Sequence, residues 1–241
     1  RLSGNTGERL LTCGVDLTED QLVRVVKAIE KLSKELLCAT EAMRLKTALR
    51  EICEVSRYPI RLTPHQSIIF CDIVPEDREK LEDTLRRHGV PLTEDYTTVR
   101  RWSMACPALP TCGLAVTESE RALPDMISEL EAELRTLGLE NEVFTTRMTG
   151  CPNGCARPYN SDIGLVGKTK DKYTILLGGR VFGDRLNFIY KDLVPTAEVV
   201  STLAPVLRYF KDSRENGESF GDFCHRIGKD ALVAHCAEVA V

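Results

Sequence analysis

Four cysteines in two close pairs constrain this chain more than any other feature. The first pair reads Cys106-Pro-Ala-Leu-Pro-Thr-Cys112 and the second reads Cys151-Pro-Asn-Gly-Cys155. The prolines and the glycine inside the pairs restrict the backbone to turns, and turns can aim several sulfur atoms at one point. Four thiolates form the ligand set of a cubane iron–sulfur cluster or of a structural zinc ion. The two pairs therefore predict a metal centre.

The spacing within the pairs helps to separate the candidate metals. Zinc sites usually pair ligands two to four residues apart, whereas five residues separate Cys106 from Cys112. The wider pair suits the larger cluster, so the spacing favours iron–sulfur. Zinc, and cysteines that are merely buried or disulfide-bonded, stay open as alternatives at this point. The other six cysteines stand alone and are expected to be small buried hydrophobic residues: Cys13, Cys38, Cys53, Cys71, Cys224 and Cys236.

Composition and charge exclude several classes of protein. The 241 residues suffice to bury a core without disulfides, and the formal net charge of −4 gives no basic field for nucleic acid. The apolar runs are too short to span a bilayer, so we expect no membrane partner. Residues 1–11 lack the apolar segment of a secretory signal. We therefore expect a cytoplasmic protein, or one of the plastid stroma if a transit peptide has been removed.

Hydrophobic periodicity predicts two regions. In the first, a helix–strand–strand–helix order indicates an α+β unit, and the polar, turn-rich segment 91–101 marks its end. In the second, strands alternate with helices, which is typical of a mixed sheet with α/β packing. The predicted domains are residues 1–95 and 96–241. The predicted helices cover 18–39, 43–52, 76–87, 118–137, 196–211 and 220–227, and the predicted strands cover 60–62, 68–73, 143–148, 163–166 and 173–177.

The residues around the cysteine pairs resemble those of the sirohaem-dependent sulfite and nitrite reductases. The resemblance extends from about Met43 to Gly228 and leaves residues 1–42 outside it. It implies a ferredoxin-like, parachute-type half-domain followed by a mixed-sheet domain that binds sirohaem and a 4Fe-4S cluster. The segments that carry it are Ala105–Cys112, Thr149–Tyr159, Arg44–Arg50, Arg61–Gln66, Asp162–Gly167 and Leu177–Gly179.

The resemblance also implies roles for individual residues. Cys106, Cys112, Cys151 and Cys155 would hold the cluster, and Cys155 would also ligate the sirohaem iron, which couples the two cofactors and makes it the catalytic residue. Arg147 and Arg157 flank the second pair and could hold sirohaem carboxylates, since a guanidinium binds a carboxylate in a bidentate manner; either could equally brace a surface or turn. Asn153 could bond cluster sulfur or a sirohaem carboxylate, or only stabilise its own turn.

The implied reaction is the six-electron reduction of sulfite to sulfide, with electrons arriving singly from a ferredoxin or a flavoprotein. Gly154 favours the sulfite branch, because nitrite reductases usually carry serine there. Nitrite reduction to ammonia is the alternative, and a non-catalytic module stabilised by iron–sulfur or zinc is a third reading. Family members are roughly twice as long as this chain. We therefore expect a fragment that needs a missing N-terminal half or a partner chain.

Overall fold

A computed structural model describes residues 43–56 and 58–239, and these divide into two compact units with the boundary between Asp95 and Tyr96. The helix predicted over 18–39 lies outside the described residues. None of the helices in the described ranges is long and apolar enough to cross a membrane.

The first unit is a two-stranded antiparallel sheet with two helices. Its strands are paired through Ile60 and Phe70 at one end and Leu62 and Ile68 at the other, with a tight turn between them. Proline lacks an N–H and suits the first turn of a helix, and the second helix accordingly begins at Pro75. The elements are α1 (Leu45–Val55), β1 (Ile60–Leu62), β2 (Ile68–Phe70) and α2 (Pro75–Arg87).

The second unit is built on a five-stranded sheet, in the order β3-β4-β5-β6-β7 within the described residues. The first three strands are parallel, whereas β5, β6 and β7 form an antiparallel meander. The strands are β3 (Ser103–Ala105), β4 (Thr146–Thr149), β5 (Ile163–Thr169), β6 (Lys172–Leu177) and β7 (Phe188–Pro195). The helices are α3 (Thr98–Arg101), α4 (Leu123–Leu137), α5 (Val199–Ser213), α6 (Phe220–Ile227) and α7 (Lys229–Val239).

One hydrophobic core joins this sheet to its helices. Alternate strand residues such as Met148, Leu165 and Ile175 belong to it, as expected for side chains that share one face of a sheet. Helix α4 presents buried residues at helical spacing, among them Leu130 and Leu134. Residues on the opposite face of the sheet point away from this core.

Helix–strand–strand–helix followed by a mixed sheet confirms the predicted fold class. Several predicted boundaries were wrong. The helix predicted from 118 begins at Leu123, because the chain before it forms a turn in which the Ser119 hydroxyl donates to the Met148 carbonyl at 2.7 Å. The strand predicted over 143–148 is observed at Thr146–Thr149, and that predicted over 68–73 ends at Phe70, near Asp72 with its φ of 56°.

The isolated cysteines are less buried than the sequence predicted. Among those that the structure describes, Cys224 is fully buried, whereas Cys53, Cys71 and Cys236 are partly exposed. Cys53 lies on α1, Cys71 directly follows β2, and Cys236 lies on α7 and packs against the core with part of its surface exposed. The expectation for Cys13 and Cys38 falls outside the described ranges.

Candidate metal centre

The two cysteine pairs follow the ends of neighbouring parallel strands. Cys106 comes directly after β3, and Cys151 comes two residues after β4. Strands β3 and β4 pair in parallel with Ala105 opposite Met148. Because parallel strands end at the same edge of a sheet, both pairs begin at one edge. The Cys106 N–H continues the pairing and donates to the Met148 carbonyl at 3.1 Å.

Direct contacts bring the pairs together beyond this edge. The Gly150 N–H donates to the Cys106 sulfur at 3.3 Å, so the residue before Cys151 is bonded to the first cysteine of the other pair. Cys106 also packs in a small apolar cluster with Ala108 and with Ala156, the neighbour of Cys155. Cys106 and Cys151 are buried and Cys112 is partly exposed, while Cys155 is exposed.

The segment after Cys112 is held against the same point. The N–H groups of Val116 and Thr117 both donate to the Gly150 carbonyl, at 2.9 and 3.3 Å. A Cβ on Gly150 would lie 2.6 Å from the Cβ of Ala108 and 2.6 Å from the Thr117 carbonyl oxygen. Only glycine fits this close approach. The packing therefore fixes the Cys112 segment beside Cys151.

The second pair forms a turn that its own downstream residues close. Gly154 has a φ of +69°, and its carbonyl accepts from the Arg157 N–H at 2.7 Å. The Tyr159 hydroxyl donates to the Pro152 carbonyl at 2.6 Å. Burial and the nearby Cys151 sulfur raise the pKa of Tyr159, which keeps this hydroxyl protonated. Asn153 is exposed at the tip of the turn.

Arg147 lies on β4 with only 1% of its surface exposed. Burial, helped by the like charge of Arg157, lowers the pKa of its guanidinium to about 10, while Asp162 acts in the opposite direction. Arg147 therefore stays a cation at neutral pH, close enough to Arg157 to repel it. Its Nη1 donates to the Asn160 side-chain oxygen at 3.4 Å. Two cations held near each other favour an anionic ligand such as a carboxylate.

Asn160 and Asn187 also contact the site, and neither is predicted from the sequence. Asn160 follows the motif and could have been found from its position. Asn187 lies more than thirty residues beyond Cys155, and no motif in the neighbouring sequence identifies it as a site residue. Its contacts with the turn at 158–161 appear only in three dimensions.

The residues present fit a cubane cluster with an anionic macrocycle beside it. The four cysteines are free thiols, the first cysteine of each pair follows the same edge of the sheet, and a backbone N–H already points at one sulfur. The Thr149 hydroxyl, on the same face of β4 as Arg147, is buried and has no hydrogen-bond partner among the described residues.

A single metal ion finds no comparable site. Among residues 43–56 and 58–239, no three His, Cys, Asp or Glu side chains surround one position suited to an ion. A cubane spaces its thiolates further apart, because each binds a different iron.

Two family models match the chain. Residues 97–240 match the nitrite and sulphite reductase 4Fe-4S domain, and residues 36–88 match the nitrite/sulfite reductase ferredoxin-like half domain. Each matched segment lies within one of the two predicted domains.

Curated relatives carry sulfite reductase names. The sulfite reductase (NADPH) hemoprotein beta-component of Staphylococcus haemolyticus is 45% identical over 80% of this chain and 34% of its own length. The sulfite reductase (ferredoxin) of Synechococcus elongatus is 46% identical over 78% of this chain and 30% of its own. The chain thus spans about a third of the length of these relatives.

Solved structures resemble the fold. The NirA protein of Mycobacterium tuberculosis superposes with a TM-score of 0.66 at 26% identity, over 78% of this chain and 36% of that one. Dissimilatory sulfite reductase I superposes at 0.58 with 12% identity, over 80% and 66%, and therefore supports the fold alone. Together with the matched domains, these findings show that the chain belongs to the family of nitrite and sulphite reductases with a 4Fe-4S domain.

Proposed function

We propose that this chain is the cluster- and sirohaem-binding part of a sulfite reductase, which reduces sulfite to sulfide with six electrons. One observation carries the proposal: two cysteine pairs leave neighbouring parallel strands at one edge and meet through the Gly150 N–H and the Cys106 sulfur. The names of the relatives support sulfite as the substrate.

Each site residue has a proposed task. The thiolates of Cys106, Cys112, Cys151 and Cys155 hold the 4Fe-4S cluster, and Cys155, the most exposed of the four residues, would also ligate the sirohaem iron. Once bound, these cofactors supply the one-electron transfers and the reduction of the anion.

The surrounding polar residues have orienting tasks. Arg147 and Arg157 bind sirohaem carboxylates and so fix the orientation of the macrocycle. Asn153, at the tip of the turn, donates to cluster sulfur or to a carboxylate. Tyr159 closes the cysteine turn through Pro152.

We assign residues 1–95 to the ferredoxin-like half-domain and residues 96–241 to the sirohaem and 4Fe-4S domain. The matched segments 36–88 and 97–240 support this division. The electron donor is a ferredoxin or an NADPH-linked flavoprotein, as the two names of the relatives suggest. The remaining part of the protein comes from a longer chain or a partner. The eight described cysteines are all free, which fits the reducing cytoplasm or plastid stroma.

Nitrite is the second candidate substrate. The observation that favours sulfite over it is the environment of Gly154, where a Cβ would lie 2.6 Å from the Tyr159 ring. The serine that nitrite reductases usually place here would require the ring, and with it the hydroxyl bonded to Pro152, to shift. Turnover of sulfite and of nitrite, compared for the chain extended to the length of its relatives, decides between the two substrates.

The test of the metal centre is a visible spectrum combined with iron, zinc and sulfide analysis of the purified chain. Sirohaem gives strong Soret-type and red absorption, a bare cluster gives a broad shoulder, and zinc gives no absorption. Iron and sulfide with the sirohaem bands are expected. Zinc without sulfide would replace the proposal with the structural module.

We predict that the cysteines act as a unit. Replacing Cys106, Cys112 or Cys151 by serine removes one thiolate from the cluster, so most cluster iron is lost and the second unit becomes less stable. Cys155→Ser perturbs the cluster and the sirohaem spectrum together. Cys71→Ser in the first unit is the matched control and keeps full iron. Iron and sulfide analysis checks the series, and full cluster content in the first three variants would refute the ligand assignment.

A further inference from the structure

A single side chain fastens the turn that follows the cysteine motif. The Nδ2 group of Asn187 donates to the Pro158 carbonyl at 2.8 Å and to the Ser161 carbonyl at 3.0 Å. The Asn187 backbone N–H donates to the Tyr159 carbonyl at 2.9 Å. One residue therefore bonds three carbonyls of a segment that lies about thirty positions earlier in the chain.

The fastened turn supports the candidate cofactor residues on both sides. Through Tyr159 it reaches the Pro152 carbonyl inside the cysteine motif. Through Asn160 it reaches the guanidinium of Arg147. Arg157 immediately precedes the turn and has a φ of +55°, a backbone conformation that non-glycine residues rarely adopt. Such a conformation persists when surrounding contacts enforce it.

The loop that precedes Asn187 is itself held in place by hydrogen bonds and an ion pair. The loop before it is closed by the Arg180 N–H, which donates to the Arg185 carbonyl at 3.1 Å. The Arg185 Nε donates to the Gly178 carbonyl at 2.7 Å, and its Nη2 lies 2.8 Å from an Asp222 oxygen on α6. The turn also sits directly on β5, where a Cβ on Gly164 would lie 2.2 Å from the Pro158 carbonyl oxygen. These contacts therefore restrict the position of Asn187 and of the turn that it bonds.

We propose that Asn187 is a positioning residue that sets the placement of Arg157 and, through Asn160, of Arg147 for binding the sirohaem carboxylates. The Asn187 side chain does not contact the cysteine turn, which Asn187 reaches only through its backbone bond to Tyr159. The cysteine ligands otherwise depend on the strand ends and on Gly150, so the cluster does not need the Asn187 side chain. This inference rests on the proposed function insofar as it names sirohaem as the ligand. The fastening of the turn itself is independent of that function.

Two substitutions test the proposal. Asn187→Asp keeps the shape of the side chain but places an oxygen against two carbonyl oxygens, so attraction becomes repulsion. Asn187→Ala removes the two side-chain bonds and leaves the backbone bond to Tyr159. Asn216→Asp makes the same chemical change on an exposed loop and serves as the matched control.

Two measurements on the purified chain separate the outcomes. Hydrogen exchange of the apo-protein should show faster exchange of the Arg157 amide in both Asn187 variants and no change in Asn216→Asp. After loading with iron and sulfide, both variants should keep the iron content of the parent but bind sirohaem about tenfold more weakly or worse.

Unchanged exchange at Arg157, or unchanged sirohaem affinity where the parent binds it, would overturn the proposal. Parallel loss of cluster iron and sirohaem in Asn187→Ala would overturn it too, since it would reveal a general support of the fold. A parent chain that takes up no sirohaem would contradict the proposed function, while the exchange experiment would still decide whether Asn187 holds the turn.

Discussion

Arg147 and Asp162 are both buried charged residues, but they have different surroundings and different roles. Asp162 is deeply buried, which raises its pKa, but it accepts hydrogen bonds from the Thr145 N–H, the Thr145 hydroxyl and the Gly221 N–H. These bonds tie β4 and β5 to the start of α6. Arg147 is equally buried, yet burial works against its charge. Asp162 has a structural role because three hydrogen bonds satisfy it, whereas the unfavourable burial of the Arg147 charge supports the binding role proposed for that residue.

We predict that Arg147→Met leaves the stability of the apo-protein nearly unchanged but weakens its binding of sirohaem. Methionine keeps the length of the side chain and removes a desolvated charge, so the apo-chain should unfold within about 1 kcal/mol of the parent or be more stable. Sirohaem retention should fall, because a cation for its carboxylates is lost. Denaturant unfolding measures the stability, and a sirohaem titration measures the binding. Arg208→Met, at an exposed arginine on α5, is the control, and undiminished sirohaem binding by Arg147→Met would contradict the assignment.

At the scale of elements, an ion-pair cluster fixes α6 to the loop between β6 and β7. Asp222 lies in the first turn of α6 and pairs with Arg180 and Arg185 at 2.7 and 2.8 Å. Burial tends to raise the pKa of this carboxyl, but hydrogen bonds from Arg180, Arg185 and Ser219 outweigh it and lower the pKa from 3.8 to about 2. The loop that they hold carries Asn187.

This lowered pKa predicts a pH dependence. A carboxyl with a folded-state pKa below its unfolded value stabilises the protein above pH 4, and the contribution is lost as the pH falls towards 2. Asp222→Asn should therefore cost about 1 kcal/mol at pH 7, after allowance for solvent screening of a partly exposed pair. The difference from the parent should shrink between pH 4 and pH 2. Unfolding at several pH values checks this, with Asp184→Asn as the more exposed control.

A second prediction at this scale concerns the junction of the cysteine segments. Gly150→Ala places a methyl group against Ala108 and the Thr117 carbonyl, so the two segments must separate. Cluster iron should fall severalfold. Gly113→Ala lies in the same loop system, where a Cβ meets no atom within 4 Å, and should load normally. Iron content measured on both decides, and equal loading would show that the contact does not position the cysteines.

The sequence predicted some elements well and missed others for identifiable reasons. Helix α6 was predicted at its observed bounds, because an N-cap serine and a C-terminal glycine frame a clear amphipathic pattern. Strand β7 was missed, because this edge strand buries few side chains and lacks the alternation that marks a strand. Strand β3 has three residues, too few to form a pattern.

The candidate site divides in the same way. The cysteine pairs were visible from spacing and proline content alone. The contribution of Asn187 was not, because it depends on a contact between distant parts of the chain that no local pattern records.

At the scale of the whole molecule, the chain is shorter than the relatives that it matches. It spans about a third of the length of its relatives, and its formal net charge is −4. Reduction of an anion needs preorganised positive groups where negative charge develops on the departing oxygens. We expect most of these groups to come from the remaining portion.

We therefore predict little turnover by the chain alone. With both cofactors verified, a reduced-viologen assay with sulfite should give rates well below the ~1 to 1000 per second of ordinary enzymes. Extending the chain to the length of its relatives should restore activity. Turnover in the ordinary range by the present chain would mean that it already holds a complete anion site.

The pairing register of strand β4 determines the position of Cys151, one of the proposed iron ligands. Its residues alternate, with Met148 in the core and Arg147 on the other face. A slip of one residue would exchange these two and carry Cys151 about 3.3 Å out of place. Misaligned chains could not collect four sulfurs, whereas correctly aligned chains could. The iron content of a preparation would then report the fraction of molecules in which β3 and β4 are paired in the correct register.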